Sequence, residues 1–152
     1  MKLKGFTLIE MIVVIAIIGA LAAIIVPSIF GYVRDANIAA ANRNAKCIYI
    51  SAKTEIINRI ANEKESPKGG TIFTGGNDGL AKGSDGTELD LLSYVGSNFS
   101  GYYLFVVSED GQDIEYTLWC NEAPPVNNGK MSPKQIRDSQ PLTGCYPEAA
   151  EE

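Results

Sequence analysis

The sequence predicts an α+β protein in which a long N-terminal α-helix lies against a small antiparallel β-sheet. Three observations support this fold class. A run without charged residues extends from Met11 to Val33, an amphipathic helical pattern continues to about residue 62, and two strand patterns follow at residues 102–107 and 114–120. The chain of 152 residues suits one domain with a modest hydrophobic core.

The charge-free run is long enough to cross a bilayer, which requires about 20 apolar residues in a helix. Lys2 and Lys4 precede it, and Glu10 stands at its start. An ionisable group in that position is costly without a partner, so it points to a functional role. An ordinary signal peptide cut after Ala20-Leu21-Ala22 is disfavoured, because Glu10 interrupts the basic-to-apolar transition and apolar residues continue to Phe30. A plain membrane anchor would leave Glu10 without a purpose.

The second half of the helix has an apolar stripe at steps of three and four residues, which predicts a face that packs on the sheet. The stripe consists of Ile38, Ala41, Ala45, Ile48, Ala52, Ile56 and Ile60. A second face points away from it and consists of Ala36, Ala40, Arg43, Cys47, Ile50 and Thr54. If Pro27 only kinks the helix, it runs from Phe6 to about Asn62, which is about 80 Å at 1.5 Å per residue. Its first half must then lie in lipid or against other copies of the chain.

The segment from Gly69 to Gly101 is rich in glycine and in turn signals, and we expect it to be loop-like. Residues 89–95 fit a short helix or an edge strand. Four acidic side chains in this segment, Asp78, Asp85, Glu88 and Asp90, are interpreted as solvated turn residues. Their spacing matches no ordered calcium loop such as the EF-hand pattern, although calcium binding is an alternative.

Two strands have stronger support. Residues 102–107 are aromatic and β-branched, and residues 114–120 alternate. The alternation places Ile114, Tyr116, Leu118 and Cys120 on one face and Glu115, Thr117 and Trp119 on the other. Residues 108–113 fit a hairpin loop. A hairpin alone is marginal in water, so it needs the helix stripe and further strands to cover it.

The segment Gly5-Phe6-Thr7-Leu8-Ile9-Glu10 resembles the N-terminus of type IV prepilins and related filament subunits. The resemblance implies cleavage after Gly5 by a prepilin peptidase, N-methylation of Phe6, and a role in assembly for Glu10. It also matches the family's helix-bending glycine and proline to Gly19 and Pro27. The implied organisation is a leader at residues 1–5, a membrane or filament-core helix at 6–33, and a globular head at 34–152 that includes the amphipathic half-helix 34–62.

The chain has three cysteines, Cys47, Cys120 and Cys145, and three pairings are open for one disulfide. Many pilins have a C-terminal disulfide loop, and this resemblance favours Cys120–Cys145. The bond would close a loop of about 25 residues and stabilise the proline-rich tail by about 3 kcal/mol on the chain-entropy model. Cys47 is expected to be a buried free thiol that behaves as a small hydrophobic residue.

Composition excludes several other functions. The net charge of -5 would become more negative when Lys2 and Lys4 are lost, which argues against direct nucleic-acid binding. The sequence has no histidine, which is the commonest general base and metal ligand. We find no phosphate-binding loop, catalytic carboxylate pair or zinc-type cysteine spacing. The chain is therefore interpreted as a non-enzyme that has no cofactor and no metal.

The resemblance implies a structural pilin whose partners are further copies of itself, other pilins, the prepilin peptidase, the pilus assembly platform and the membrane. The precursor would span the cytoplasmic membrane once, and the assembled subunit would be extracellular. A type II secretion pseudopilin and a competence pilin are the alternatives within the family. The tyrosine- and proline-rich segment usual in major pseudopilins is absent, since residues 66–69 are Ser-Pro-Lys-Gly. A membrane-anchored binding module is the alternative outside it. Adhesion, twitching, DNA uptake and aggregation all remain open as roles of the filament.

Overall fold

A computed structural model of the chain describes residues 6–96, 99–123 and 143–147. Helix α1 spans Leu8–Ala61 and contains Pro27 in its interior. The internal contacts separate the chain into two compact units, residues 1–36 and residues 37–152. Helix α1 contributes residues to both units.

In the first unit every described residue, from Phe6 to Ala36, is exposed. Helix α1 is long and apolar enough to cross a membrane, and no residue of its most apolar stretch is buried in the part of the chain that the structure describes. The apolar side chains of this unit are therefore exposed to their surroundings among the described residues.

The second unit contains a six-stranded sheet whose neighbouring strands are all antiparallel. A short helix, α2 (Leu92–Val95), follows the third strand. The long helix and the antiparallel sheet confirm the predicted α+β, pilin-like fold. The strand order is β3-β2-β1-β4-β5-β6, and the strands are β1 (Ile72–Gly75), β2 (Leu80–Gly83), β3 (Glu88–Asp90), β4 (Tyr102–Val107), β5 (Ile114–Cys120) and β6 (Thr143–Tyr146).

The predicted apolar stripe of α1 forms one side of the core. Five of its members are buried, Ala41, Ala45, Ile48, Ala52 and Ile56, whereas Ile38 is half-buried and Ile60 is exposed. The last three of the five buried members pack with aromatic side chains of the sheet that include Phe73, Tyr103 and Phe105, whereas the first two pack with Trp119. The Phe73 and Phe105 rings stack with their centroids 4.8 Å apart. Burying an Ile side chain contributes about 1.5–3 kcal/mol, so this layer stabilises the second unit.

The opposite side of α1 is exposed along the second unit. We call this surface the outer face; it comprises Ala40, Arg43, Cys47, Ile50, Ile57 and Ala61, with half-buried Thr54 among them. The prediction that Cys47 is a buried thiol is wrong for the single chain, because Cys47 is exposed. The cause is its helical position, which lies opposite the buried stripe.

The expectation of a loop from Gly69 to Gly101 is also wrong, since β1, β2 and β3 lie in this segment. These strands have only three or four residues each, which is too short for a clear alternation. At residues 89–95 both alternatives occur, an edge strand that ends at Asp90 and then α2. The strands predicted at 102–107 and 114–120 are confirmed with the same bounds.

The pairing of β4 with β5 corrects one detail of the predicted alternation. The register shifts between Val106 and Val107, so that Val107 pairs with Ile114. Ile114 therefore joins the core beneath α1, whereas Leu118 and Cys120 belong to a cluster with Leu104 and Val106. A β-bulge has this effect because one extra residue interrupts the two-residue period.

Strand β6 lies directly against α1. A Cβ atom on Gly144 would stand 2.0 Å from the carbonyl oxygen of Ala41, so only glycine fits without a shift of the backbone. The next residue, Cys145, donates its backbone N–H to Asn42 Oδ1 at 3.0 Å. The position of Cys145 in a strand corrects the expectation that it lies in a loop-rich tail.

Candidate assembly site

The first turn of α1 holds the carboxylate at the start of the apolar run. Thr7 donates its backbone N–H and its hydroxyl to Glu10 Oε2, at 2.8 and 2.6 Å. The backbone N–H of Glu10 lies 3.4 Å from Thr7 Oγ1 in return. This reciprocal arrangement is a capping box, in which two residues three apart satisfy amide groups that have no partner within the helix.

The capping box has a consequence for the charge of Glu10. Its hydrogen bonds come from neutral donors, and no ion pair reaches Glu10 within residues 6–96, 99–123 and 143–147. A carboxylate has about four acceptor positions, so it can accept further donors while it holds the cap. A cation from outside the described chain can therefore bind Glu10 without disrupting the start of the helix.

The two predicted helix-bending positions lie inside a continuous helix. Pro27 removes one backbone donor from α1, and the adjacent Ser28 donates its hydroxyl to the carbonyl of Ile25 at 2.8 Å. A Cβ atom on Gly19 would meet nothing within 4 Å. The fold of the single chain thus does not require glycine at position 19.

The predicted cleavage site is divided by the limit of the described structure. Phe6 is described and exposed, whereas Gly5 lies outside the described residues. The geometry of the bond between them is therefore not part of the structural account.

Comparison with known families matches residues 1–26 to the prokaryotic N-terminal methylation motif. This motif is the hallmark of type IV pilin-like prepilins. The matched segment contains Gly5, Phe6, Glu10 and Gly19 and ends one residue before Pro27. Neither a curated protein nor a solved structure matches the chain, so the assignment to prepilins depends on the N-terminal motif and on the fold.

All three cysteines of the chain are described, and each is a free thiol. Cys120 and Cys145 are buried in adjacent strands, where Cys120 pairs with Thr143 and Cys145 with Leu118. Cys120 and Cys145 are thus diagonal neighbours, and both belong to the cluster of Leu118. Burial raises the pKa of the Cys120 thiol. The Cys120–Cys145 disulfide stays a prediction.

Three of the four acidic side chains considered as calcium ligands have a local role. Asp78, Asp85 and Asp90 each accept the backbone N–H of the residue two positions later, at 3.2, 2.9 and 2.9 Å. This contact is typical of turns initiated by aspartate. Within the described residues no group of three or more potential ligands forms, and the turn interpretation accounts for the observed geometry.

Three residues that sequence reasoning did not single out are important in this structure. Thr7 holds Glu10, and the pattern Thr-x-x-Glu before an apolar run was a readable signal for it. Asn42 and Gly144 position β6 against α1. No sequence signal marks this pair, because the two residues are about 100 positions apart and meet only in the folded head.

Proposed function

We propose that the chain is a structural subunit of a type IV pilus-like filament. The prepilin peptidase removes residues 1–5, Phe6 is methylated, and the assembly platform packs the apolar helices of many copies into a filament core. The observation that carries this proposal is that the apolar helix of the first unit is exposed and that its beginning lies within a prokaryotic N-terminal methylation motif.

The surface of the first unit supports helix packing between subunits. A stretch of exposed apolar side chains of this size is an interaction site in a protein that leaves the lipid phase. Small residues such as Ala16, Gly19, Ala20 and Ala23 allow helices to approach closely. The free space around the Cα atom of Gly19 favours a role in contacts outside the subunit, since nothing within the subunit requires its small size.

The proposal assigns Glu10 the role of an intermolecular partner. In a filament core its charge lies in a medium of low dielectric constant, where an unpaired charge is expensive and a paired one is tolerated. The cation that cleavage creates is the α-amino group of Phe6 on a neighbouring subunit. The capping box holds the carboxylate in place for that contact.

The head is built so that its sheet does not promote polymerisation by itself. An exposed edge strand is a template for strand addition. The backbone of β6 is engaged by Asn42, and Arg59 donates to the carbonyl of Glu88 in β3 at 2.6 Å. These contacts favour growth of the filament through helices rather than through strand pairing.

Electron microscopy of producing cells tests the proposal. We expect filaments on cells with the intact chain, none of this type on deletion cells, and their return on complementation. Replacing Gly5 with a bulky residue should leave unprocessed precursor in the membrane and no filaments. Cells that express and export the chain without forming filaments would contradict the proposed function.

A further inference from the structure

In the second unit, positive side chains predominate on α1 and negative side chains predominate on the rest of the described surface. Among the described residues 62–123, ten carboxylates but only three lysines are exposed. On α1 the charges of Lys53 and Arg59 are used in ion pairs, with Asp113 at 2.8 Å and with Glu55 at 3.0 Å. The outer face therefore presents a local positive charge on an acidic head.

Arg43 supplies the positive charge of the outer face. It is exposed on the outer face and has no ion pair within the part of the chain that the structure describes. The nearby Lys46 is directed to the ring of Tyr146, with its Nζ atom 5.3 Å from the ring centroid. Arg43 is thus available to a carboxylate of another molecule.

The outer face also exposes apolar side chains in a regular order. The residues at positions 40, 43, 47, 50, 54, 57 and 61 follow steps of three and four, which is the period of a contact seam on a helix. Ile50 is 54% exposed and Ile57 is 51% exposed, although both belong to a residue type that is usually buried. This surface has one cation beside a row of apolar side chains. A complementary partner surface would have carboxylates beside an exposed apolar side chain, because opposite charges attract and apolar groups are stabilised when they are buried together.

The β3–α2 edge of the same head has that composition. Glu88 and Asp90 are exposed on β3, and Leu92 at the start of α2 is 44% exposed. Lys82 lies across the strand pair from Glu88, but no ion pair joins them in the described chain. A second pair of neighbouring carboxylates, Glu109 and Asp110 in the hairpin loop, adjoins Gly111 and Gln112 and so lacks an apolar neighbour of this kind in the sequence.

We propose that the outer face of one head binds the β3–α2 edge of a second copy of this chain, so that Arg43 contacts Glu88 and Asp90 while Ile50 and Ile57 cover Leu92. This contact builds on the proposed filament and adds a second interface to the one made by the N-terminal helices. Two different surfaces meet, so the contact is heterologous and can continue from copy to copy. Symmetric pairing of two outer faces is unfavourable because it brings like charges together.

Disulfide trapping in cell membranes with the full-length chain tests this arrangement. Cys47 is the exposed native thiol on the outer face, and Leu92→Cys places a second thiol on the β3–α2 edge. Mild oxidation should then give a ladder of covalent multimers on a non-reducing gel. Leu92→Cys combined with Cys47→Ser should give no ladder. Glu115→Cys is the control for the position of the second thiol, because it places that thiol at an exposed site on a different strand.

Charge reversal provides a second arm that keeps the native cysteines. In this background Arg43→Glu should reduce the filament yield, and in the Leu92→Cys background it should reduce the ladder, in each case about tenfold or more, since like charges at an interface cost over 1.4 kcal/mol. Adding Glu88→Lys should restore most of the loss. Glu88 suits this exchange because its backbone carbonyl, not its carboxylate, accepts the hydrogen bond from Arg59, whereas the Asp90 carboxylate accepts the backbone N–H of Leu92.

The outcomes separate this contact from the proposed function. A ladder without filaments supports the contact and contradicts the filament proposal. Filaments without a ladder from Leu92→Cys, or without rescue by Glu88→Lys, overturn the contact and leave the filament proposal intact. Dimers of the unaltered chain linked through Cys47 alone would show symmetric pairing and would also overturn it.

Discussion

The two stretches of α1 differ in what covers them. From Phe6 to Ala36 every residue is exposed, whereas five residues between Ala41 and Ile56 are buried beneath the sheet. Only the second stretch gains hydrophobic stabilisation within its own chain, so the first depends on lipid or on other subunits for the same contribution.

The largest expected effect is at Glu10, where the comparison predicts damage to assembly but not to the head. Glu10→Ala removes both the charge and the cap, so two matched variants separate these roles. Glu10→Gln keeps a capping-box side chain without the charge, and Thr7→Ala keeps the charge without the threonine cap. We expect Glu10→Ala and Glu10→Gln to abolish filaments, because a partner cation left unpaired in a buried site costs about 3–5 kcal/mol.

Thr7→Ala should cost about 1 kcal/mol of helix stability and leave filaments in reduced number. Glu10→Asp should be milder than Glu10→Ala, because the charge survives on a shorter side chain. Filament counts by electron microscopy, normalised to membrane-inserted protein, measure all four variants. Normal filaments from Glu10→Gln would show that the charge is not required.

The same substitution at two glycines compares the units directly. Gly144→Ala should destabilise the head by about 1–3 kcal/mol, because the new methyl group meets the Ala41 carbonyl. Gly19→Ala should leave the thermal unfolding of the detergent-solubilised subunit unchanged, since its Cβ meets nothing in the chain, but should impair filament packing. A decrease in the unfolding temperature of Gly19→Ala, or an unchanged unfolding temperature for Gly144→Ala, would contradict this contrast.

A smaller effect is expected at Pro27. Pro27→Ala restores one backbone donor in α1 and should change filament number or stiffness without altering the unfolding of the head by more than about 0.5 kcal/mol. Ser28→Ala at the adjacent position is the control. The effect of Pro27→Ala is expected because Pro27 should allow the helix after Gly19 to unwind locally in the filament, where neighbouring subunits shield the backbone. Continuous helix from Ala20 to Val26 in a density map of the wild-type filament would contradict this role.

The smallest expected effect concerns the acid stability of the second unit. The hydrogen bond from Lys53, followed by the backbone N–H of Ile114, lowers the pKa of Asp113. A carboxyl whose pKa is lowered on folding stabilises the fold above its unfolded value of about 3.9, and this contribution is lost as the pH falls through the folded pKa. Asp113→Asn should therefore be less stable than wild type at pH 7, and the difference should shrink below pH 4. Urea unfolding at both pH values measures it, with Glu109→Gln as the control.

The sequence predicted the parts of the fold that depend on local pattern. The stripe from Ala41 to Ile56 and the two strands with alternating or β-branched residues were predictable, because helices and strands impose periods of 3.6 and 2 residues. The short strands β1, β2 and β3 were missed, because three or four residues rich in glycine do not establish a period. Strand β6 was missed because its fit depends on Gly144 meeting the backbone of Ala41, which no local pattern encodes.

The N-terminal motif was predictable residue by residue because it is a local pattern in which residue types stand at fixed spacings, and residues 1–26 match it. The partner of Glu10 within the chain, Thr7, was visible as a capping-box pattern. The exposure of Cys47 followed from the helical position that separated it from the stripe. Its expected burial depended on neighbouring subunits, and these are not part of the single chain.

The intact mass of the exported protein tests the central claim most directly. The account predicts a chain that begins at Phe6 and carries one additional methyl group on its α-amino nitrogen. Glu10 would then be the fifth residue of the mature subunit, next to the new amino group of its neighbours. A mature protein that begins at Ala23 would show an ordinary signal peptide and would contradict the account.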